Sequence, residues 1–541
     1  MTVKRVMGIE TEFGIISPTS DDDSVILTSQ IVFAYAGAMR EMNEPEGVRW
    51  DYSSEQPLHD ARGYVMAREE ADPSQLTDDP YNLAPSGPKI LSKGRQMSQV
   101  VRLTELEEKF QRAPNNSMPN GSRMYLDHAH PEYSSPEVLS PRQAVLYDRA
   151  GEYIMQRAMV EVEQNKGLPD IVLYKNNVDG KGATYGNHEN YMVDRRVPFD
   201  DIVQTFIPFF VTRPIICGAG RVGIGPYSEK PGFQISQRAD YVENTVGLET
   251  TLNRPIVNTR DEPHADGKLF RRFHVIGGDS NVFETSTFIK MASTSLILWV
   301  LENYGVPKEW KELELADPVS ECSKVSHDTS LTYKLSLADG RKLTAIEIQR
   351  VYLDTISKYY EDNADKNDPE YDEETRQALN MWKHILDALE NKEFSKLASQ
   401  VEWVCKKQIM EAMAGRENLG WESPKLAAMD LQWADMRLGR GLAYRLIESG
   451  KVATLVDKED ISKAEFYPPE NTRAYFRGQM IRRFNKDIFS AGWHAMVVDT
   501  GEEHMLRVPM FNPLGGTKER VESLFEKSTS VKDIVDALTK K

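Results

Sequence analysis

The run Met7-Gly8-Ile9-Glu10-Thr11-Glu12-Phe13-Gly14-Ile15 alternates side by side in a way a helix cannot use. Met7, Ile9, Phe13 and Ile15 fall on one side, and Gly8, Glu10, Glu12 and Gly14 on the other. The pattern predicts a half-buried β-strand with two carboxylates on its open face, about 7 Å apart along the strand. Carboxylates that close repel each other, so they either face water or share a cation. Oxygen ligands without cysteine favour Mg²⁺, which in such sites commonly arrives with a nucleotide phosphate. An amphipathic strand with a wet acidic face has the same pattern, and this segment alone leaves both readings open.

A second segment, Arg123-Met124-Tyr125-Leu126-Asp127-His128-Ala129-His130-Pro131-Glu132, follows the turn signal Asn120-Gly121. Period two sends Met124 and Leu126 inward and puts Arg123, Tyr125 and Asp127 on one open face. Pro131 is expected to end the strand and leave Glu132 on the turn beyond it. A cation, a phenol and a carboxylate sharing one strand face point to a site, because packing alone gives little reason to gather them.

A chain of 541 residues can bury a large core and is too long for one compact unit. The charge balance, 66 basic against 83 acidic residues for a net −17, argues against nucleic acid as the main partner. Cys217, Cys322 and Cys405 are odd in number and far apart, which fits a reducing compartment and no metal cluster. Met1 to Lys4 lead straight into the first strand, so no secretory leader is expected. The most apolar stretches, Phe206 to Cys217 and Ala292 to Val300, are too short or interrupted to span a bilayer. A soluble, cytoplasmic protein is the expectation.

Helices are predicted over Ile26 to Arg40, Pro141 to Lys166, much of Thr344 to Ala414, and Leu431 to Glu448. Between the two site strands, Asn43 to Pro119 is polar and broken by Asp-Pro and Ser-Gly-Pro, which reads as a mobile insertion beside the site. Within it, Val100, Val101, Leu103, Leu106 and Phe110 give Gln96 to Arg112 a weak helical pattern. After Tyr467-Pro468-Pro469 a separate small unit begins, with a helix, a hairpin around Gly501 and further helices. Gly218-Ala219-Gly220-Arg221-Val222-Gly223 matches the dinucleotide fingerprint, but Pro226, Pro231 and Gly232 follow where that motif needs a helix. A turn-rich loop near the site is expected there.

Several motifs in order resemble the Pup ligase/depupylase family, a carboxylate–amine ligase group related to glutamine synthetase. They are Gly8-Ile9-Glu10-Thr11-Glu12, Asp127 to Glu137, Tyr185-Gly186-Asn187-His188-Glu189-Asn190-Tyr191, Thr259 to Asp266, and Arg271 to Asn281. Asp127-His128-Ala129-His130 and the insertion before it are similar to the deamidase/depupylase branch. The resemblance implies an α+β fold, in which residues 1–466 form a glutamine-synthetase-like domain with a curved, mostly antiparallel sheet cradling the site. Residues 43–119 would be its insertion and 467–541 a small C-terminal α/β domain.

The resemblance also implies ATP and Mg²⁺ as cofactors. Glu10, Glu12, Tyr125, Glu132, His188 and His274 would lie among the metal ligands. Glu10, Arg123, Ser134, Ser135, Asn190, Ile276 and Trp493 would touch the nucleotide, and Asp127 would be catalytic, as nucleophile or base. Taken alone, His188 and His274 read as structural histidines, and Trp493 equally as a core aromatic. The implied partner is Pup, with Arg195, Arg196, Arg238, Arg260, Arg271 and Arg272 as candidates for a basic groove. The implied reaction is hydrolysis at the side-chain carboxyl of Pup's C-terminal residue. The alternatives are the Pup–protein ligase reaction, a small-molecule glutamate–amine ligase, and a non-catalytic nucleotide-binding scaffold.

Overall fold

In the computed structural model, seven antiparallel strands form the central sheet, in the order Phe270–Val275, Asn187–Asp194, Met7–Glu12, His130–Ser134, Arg123–Asp127, Asn115–Ser117 and Val48–Arg49. Residues 2–76, 86–92, 95–102, 114–363 and 369–540 are described. The strand that opens the chain is central, so its alternation is imposed on both neighbours. One face presents Met7, Ile9, Tyr191, Val193, Tyr133, Met124, Phe273 and Val275, all buried. Helix Pro141–Gln164 packs on this face. Ser140 caps it by accepting from the Gln143 N–H, and Pro141 fits its first turn. The contact is close enough that a Cβ on Gly151 would lie 2.3 Å from the Tyr133 ring. Helix Glu284–Tyr304 is buried along most of its length, and helices Phe199–Thr212, Ala345–Asp362 and Pro369–Glu390 complete the large core. The architecture is α+β, as expected.

The helix predicted over Leu431 to Glu448 is two helices, Pro424–Trp433 and Leu442–Glu448, separated at Ala434 to Gly441. The glycine run from Gly218 enters a hairpin, Arg221–Ile224 with Lys230–Gln234, with no helix behind it.

Near the chain's end, strands Ile488–Ala491, Ala495–Val498 and Met505–Pro509 form a second sheet. Helices Ala474–Phe484, Lys518–Lys527 and Val531–Lys540 accompany it, and Phe476, Met480, Ile481, Val508, Phe525 and Ile534 form its core. Two strands from the insertion extend this sheet: Arg95–Val100 pairs with Met505–Pro509, and Ser86–Ser92 pairs with Arg95–Val100. The helix expected over Gln96 to Arg112 is therefore a strand at its start, while 103–113 lie outside the described residues. Met97 and Val100 enter different apolar clusters on the two faces of the sheet. A strand buried on both faces can carry apolar residues three apart and imitate a helix.

The two sheets meet at Trp50, which bridges Ala491 in parallel, and at Ser117, whose hydroxyl donates to the Ala491 carbonyl at 2.7 Å. Glu137 accepts from Arg473 at 2.7 Å and from Arg477 at 2.5 Å across the same junction.

Candidate active site

Residues directly opposite in antiparallel strands share a face. The register sets Glu10 opposite His188 and Ser134, Glu12 opposite Glu132, Asn190 opposite His274, Tyr125 opposite Glu132, and Arg123 opposite Ser134. The sequence alternation thus gathers Glu10, Glu12, Arg123, Tyr125, Asp127, Glu132, Ser134, His188, Asn190 and His274 on the sheet's open face.

Glu132 lies within strand His130–Ser134, where a turn was expected. The chain reverses at His128 and Ala129, with His128 in the left-handed region at φ 53°, and the Thr28 hydroxyl donates to the Ala129 carbonyl at 3.0 Å. Pro131 is tolerated because the pair Leu126–Pro131 exchanges no hydrogen bonds. The Leu126 N–H donates to Pro114, and the Pro131 carbonyl accepts from Phe13.

Two groups of ligand atoms form on this face, each within 4.8 Å: Glu10, His188 and His274, and Glu12, Asp127 and Glu132. In the first, Glu10 lies 3.3 Å from His188 Nδ1 and 3.6 Å from the Arg272 guanidinium, and accepts from the Asn190 amide at 3.0 Å. Burial opposes its charge, but the His188 bond and the Arg272 charge outweigh it and hold the carboxyl below its usual range. Burial, with Arg272 and His188 nearby, keeps His274 neutral, its pKa far below that of a free imidazole. A neutral imidazole can donate a lone pair to a metal.

In the second group, Asp127 lies 2.9 Å from His128 Nδ1, and this contact overcomes burial to lower its pKa. Glu12 accepts from the Gly186 N–H at 2.9 Å and faces His130 at 3.5 Å. Glu132 is only 2 % exposed, and burial together with the charges of Asp127, Glu12 and Glu10 pushes its carboxyl well above the usual range. Three crowded carboxyl groups on a rigid sheet suit a hard divalent cation, which would remove that repulsion.

Two adjoining cavities cover this face. The larger, of about 680 Å³, is lined by Glu10, Arg123, Tyr125, Asp127, Glu132, His188, His274 and Trp493, among others. The smaller is lined by Gly8, Ile9, Glu10, Ser134, Ser135, Asn190, His264, Arg473 and Trp493. Arg123 is stacked between Trp50 and Tyr125, with ring centroids 4.0 and 3.8 Å away. Ile276 lines neither cavity: its side chain is buried and its carbonyl accepts from Arg238 at 3.0 Å. The glycine loop from Gly218 to Gly223 also lies outside both linings.

Sequence reasoning missed Glu55 and Glu262, which line the larger cavity. Glu55 faces Arg123 at 3.6 Å and accepts from Trp50 Nε1 at 2.8 Å. Burial pushes its carboxyl up to about 7, with Glu262 adding to the shift and Arg123 opposing it. The chain brings Glu55 in through the insertion, which docks on the segment carrying Arg260. The Ala61 N–H donates to Thr259 at 2.7 Å, the Asp261 N–H to His59 at 2.8 Å, and the Thr259 hydroxyl to Asp60 at 2.6 Å. No periodicity marks Glu55, whereas Glu262 stands inside Thr259 to Asp266, one of the segments that resemble the family.

The candidate basic groove is dispersed. Arg195 pairs with Asp261, Arg196 with Asp194, Arg271 donates to the Val197 carbonyl, and Arg238 is held by carbonyls of Tyr185 and Ile276. Only Arg260 and Arg272 line the cavity. Arg260 is buried there with Nε and Nη2 lacking partners among the described residues, a cation with donors to spare.

Residues 5–497 match the family described as Pup-ligase protein. The Pup deamidase/depupylase of Mycolicibacterium smegmatis is 42% identical over 538 residues, 99% of this chain and 100% of that one. The crystal structure of Pup in complex with its ligase PafA matches with TM-score 0.74 and 30% identity, covering 99% of this chain and 94% of that one. The Pup ligase PafA in complex with ADP matches with TM-score 0.69 and 33% identity, covering 85% and 98%.

Proposed function

Because the chain belongs to the Pup ligase family, we propose that it hydrolyses amide bonds at the side-chain carboxyl of Pup's C-terminal residue. It would deamidate a C-terminal glutamine and cleave the isopeptide bond joining Pup to a substrate lysine. The observation that carries this reading is the 42% identity, along essentially both whole chains, to a Pup deamidase/depupylase; the two ligase structures stand at 30% and 33%.

An amide carbonyl is a weak electrophile, so the site needs an activated nucleophile and charge to meet the developing oxyanion. Asp127 is the nucleophile or the base toward water or phosphate: its carboxylate is held ionised by His128 at the end of the strand. Arg260, with two nitrogens lacking partners among the described residues, and Arg123 supply positive charge in the same cavity. ATP with Mg²⁺ is the proposed cofactor pair. Ser134, Ser135, Asn190 and Trp493 would line the nucleotide's place, and Glu10, His188 and His274, with Glu12, Glu132 and Tyr125, would hold Mg²⁺. When bound, Mg²⁺ neutralises phosphate charge and that of the crowded carboxylates.

We read residues 1–466 as the catalytic unit and 467–541 as a second unit that shares its sheet with part of the 43–119 insertion. A cytoplasmic setting agrees with three buried free cysteines, and no described helix is long and apolar enough to cross a membrane.

The deciding experiment is mass spectrometry of Pup ending in glutamine, incubated with the protein, ATP and Mg²⁺. Conversion of the terminal glutamine to glutamate with release of ammonia supports the reading. An isopeptide formed from Pup ending in glutamate, with no deamidation, would replace it by the ligase reaction.

A further inference from the structure

Behind the site, the face of the opening strand that packs on the core is not wholly apolar. Thr11 points there, between Ile9 and Phe13, and is 1 % exposed. Its hydroxyl donates to Asp148 Oδ1 at 3.1 Å and accepts from Asn187 Nδ2 at 2.9 Å. Asn187 is its register partner on the neighbouring strand and immediately precedes His188. From these two residues a buried chain of polar contacts runs outward in both directions. On one side, Asp148 Oδ2 accepts from Lys175 Nζ at 2.6 Å, and Lys175 also donates to Glu152 at 2.7 Å. On the other, Asn187 Oδ1 accepts from Lys290 Nζ at 2.6 Å, and Lys290 donates to the Asp279 carbonyl at 2.8 Å. Thr11, Asp148, Glu152, Lys175, Asn187 and Lys290 are all at most 5 % exposed.

Burying an ammonium group and its carboxylates this deeply costs free energy that a valine or leucine core would not incur. A one-residue slip between the two strands would turn every side chain to the other face. It would also separate Thr11 from Asn187 and leave buried polar groups unmatched, a cost added to the loss of apolar burial. Thr11 stands between Glu10 and Glu12 in the chain, and Asn187 beside His188. The polar pair therefore fixes, from behind, the relative height of three groups on the open face. Supporting groups of this kind commonly change metal affinity by about 10- to 100-fold when removed.

We propose that Thr11 is a positioning residue: its hydroxyl, clamped between Asp148 and Asn187, holds Glu10 and His188 of one ligand group, and Glu12 of the other, at the spacing that divalent cations require. The inference rests on the proposed cation-binding role of those three residues. Thr11 touches neither cation nor substrate and acts only through the two strands.

The test compares ADP binding with and without Mg²⁺ by calorimetry in the full chain. Thr11→Val keeps the shape and removes the hydroxyl, and Thr11→Ser keeps the hydroxyl. The expected result is a roughly 10- to 100-fold loss of Mg²⁺-dependent ADP affinity in Thr11→Val, with metal-free ADP affinity unchanged and Thr11→Ser near wild type. Thr11→Ala, which adds no bulk beside Asp148, is the second variant and should show the same split should the valine variant fail to fold. Equal losses with and without Mg²⁺ mean general loosening and overturn the proposal, as does unchanged affinity in a folded Thr11→Val or Thr11→Ala. Absence of any Mg²⁺ effect in the wild type would instead remove the metal reading itself, and the proposal with it.

Discussion

The two ligand groups share the open face of one sheet, yet they are opposite in electrostatic state. Around Glu10 the protein supplies its own compensation: His188, the Asn190 amide and Arg272 hold the carboxylate ionised. Around Glu132 it supplies repulsion, since Asp127, Glu12 and Glu10 face a carboxyl sealed from water. The first is settled before anything binds. The second is settled only by a proton or a cation, which marks it as the part of the site where binding does the most electrostatic work.

The largest expected effect tests whether chemistry belongs to the second group. Asp127→Asn should lower kcat for deamidation by roughly 10² to 10⁴-fold, with metal-free ADP affinity unchanged by calorimetry. A variant that turns over at the wild-type rate would erase the distinction between the groups.

Next in size, Glu10→Gln should weaken Mg²⁺-dependent nucleotide binding by at least the roughly 10- to 100-fold that removal of a mere supporting group costs. Unchanged affinity in the same titration would assign the metal to the second group alone.

A smaller effect has the opposite sign in the two states of the protein. Glu132→Gln removes the repelled carboxyl, so without cations it should raise thermal stability by on the order of 1 kcal/mol. With saturating Mg²⁺ and ADP the wild type should be the more stable protein. Melting curves under both conditions check this, and a variant destabilised without cations would show that Glu132 is not under strain.

The smallest effect is in pH dependence. Glu132 has its folded-state pKa above the ordinary 4.5, so its proton stays on in the folded chain after the unfolded chain has lost it. Stability therefore falls as pH rises from 4.5 to the folded value, and the penalty persists above. Glu10, with its pKa lowered, contributes stability that is present above 4.5 and lost as pH falls through its folded value. In metal-free melts, Glu132→Gln should gain on wild type as pH rises above 4.5, whereas the deficit of Glu10→Gln should be full above 4.5 and shrink as pH falls below it. Parallel curves would contradict the contrast.

Much of this was legible in the chain. Period-two alternation in Met7–Glu12 and Arg123–Asp127 assigned each side chain to its face, because a strand on a core allows only that arrangement. Other features depend on contacts distant in sequence. Pro131 read as a strand end, since nothing local tells that its missing N–H would face away from its partner. Gln96 to Arg112 read as helical, whereas a sheet completed some 400 residues later buries Met97 and Val100 on opposite faces of a strand at its start. Glu55 carries no pattern at all and becomes a site residue only when the insertion docks beside Arg123 and Arg260. Ile276 was placed by resemblance, and its side chain lies away from both cavities.

The second sheet also has a consequence for how the chain is made. Its strand Arg95–Val100 pairs with Met505–Pro509, and Arg102 grips Asp499 across 397 residues of sequence. At a synthesis rate of about 5 to 20 residues per second, the early strand leaves the ribosome roughly 20 to 80 s before its partner exists. For that interval it is a bare edge in a crowded cell, the kind of segment that recruits other chains. Its sequence, Arg95-Gln96-Met97-Ser98-Gln99-Val100, carries charge and amide groups around only two apolar residues. The polarity that made the insertion look unstructured also keeps a nascent strand soluble while it waits for the last tenth of the protein.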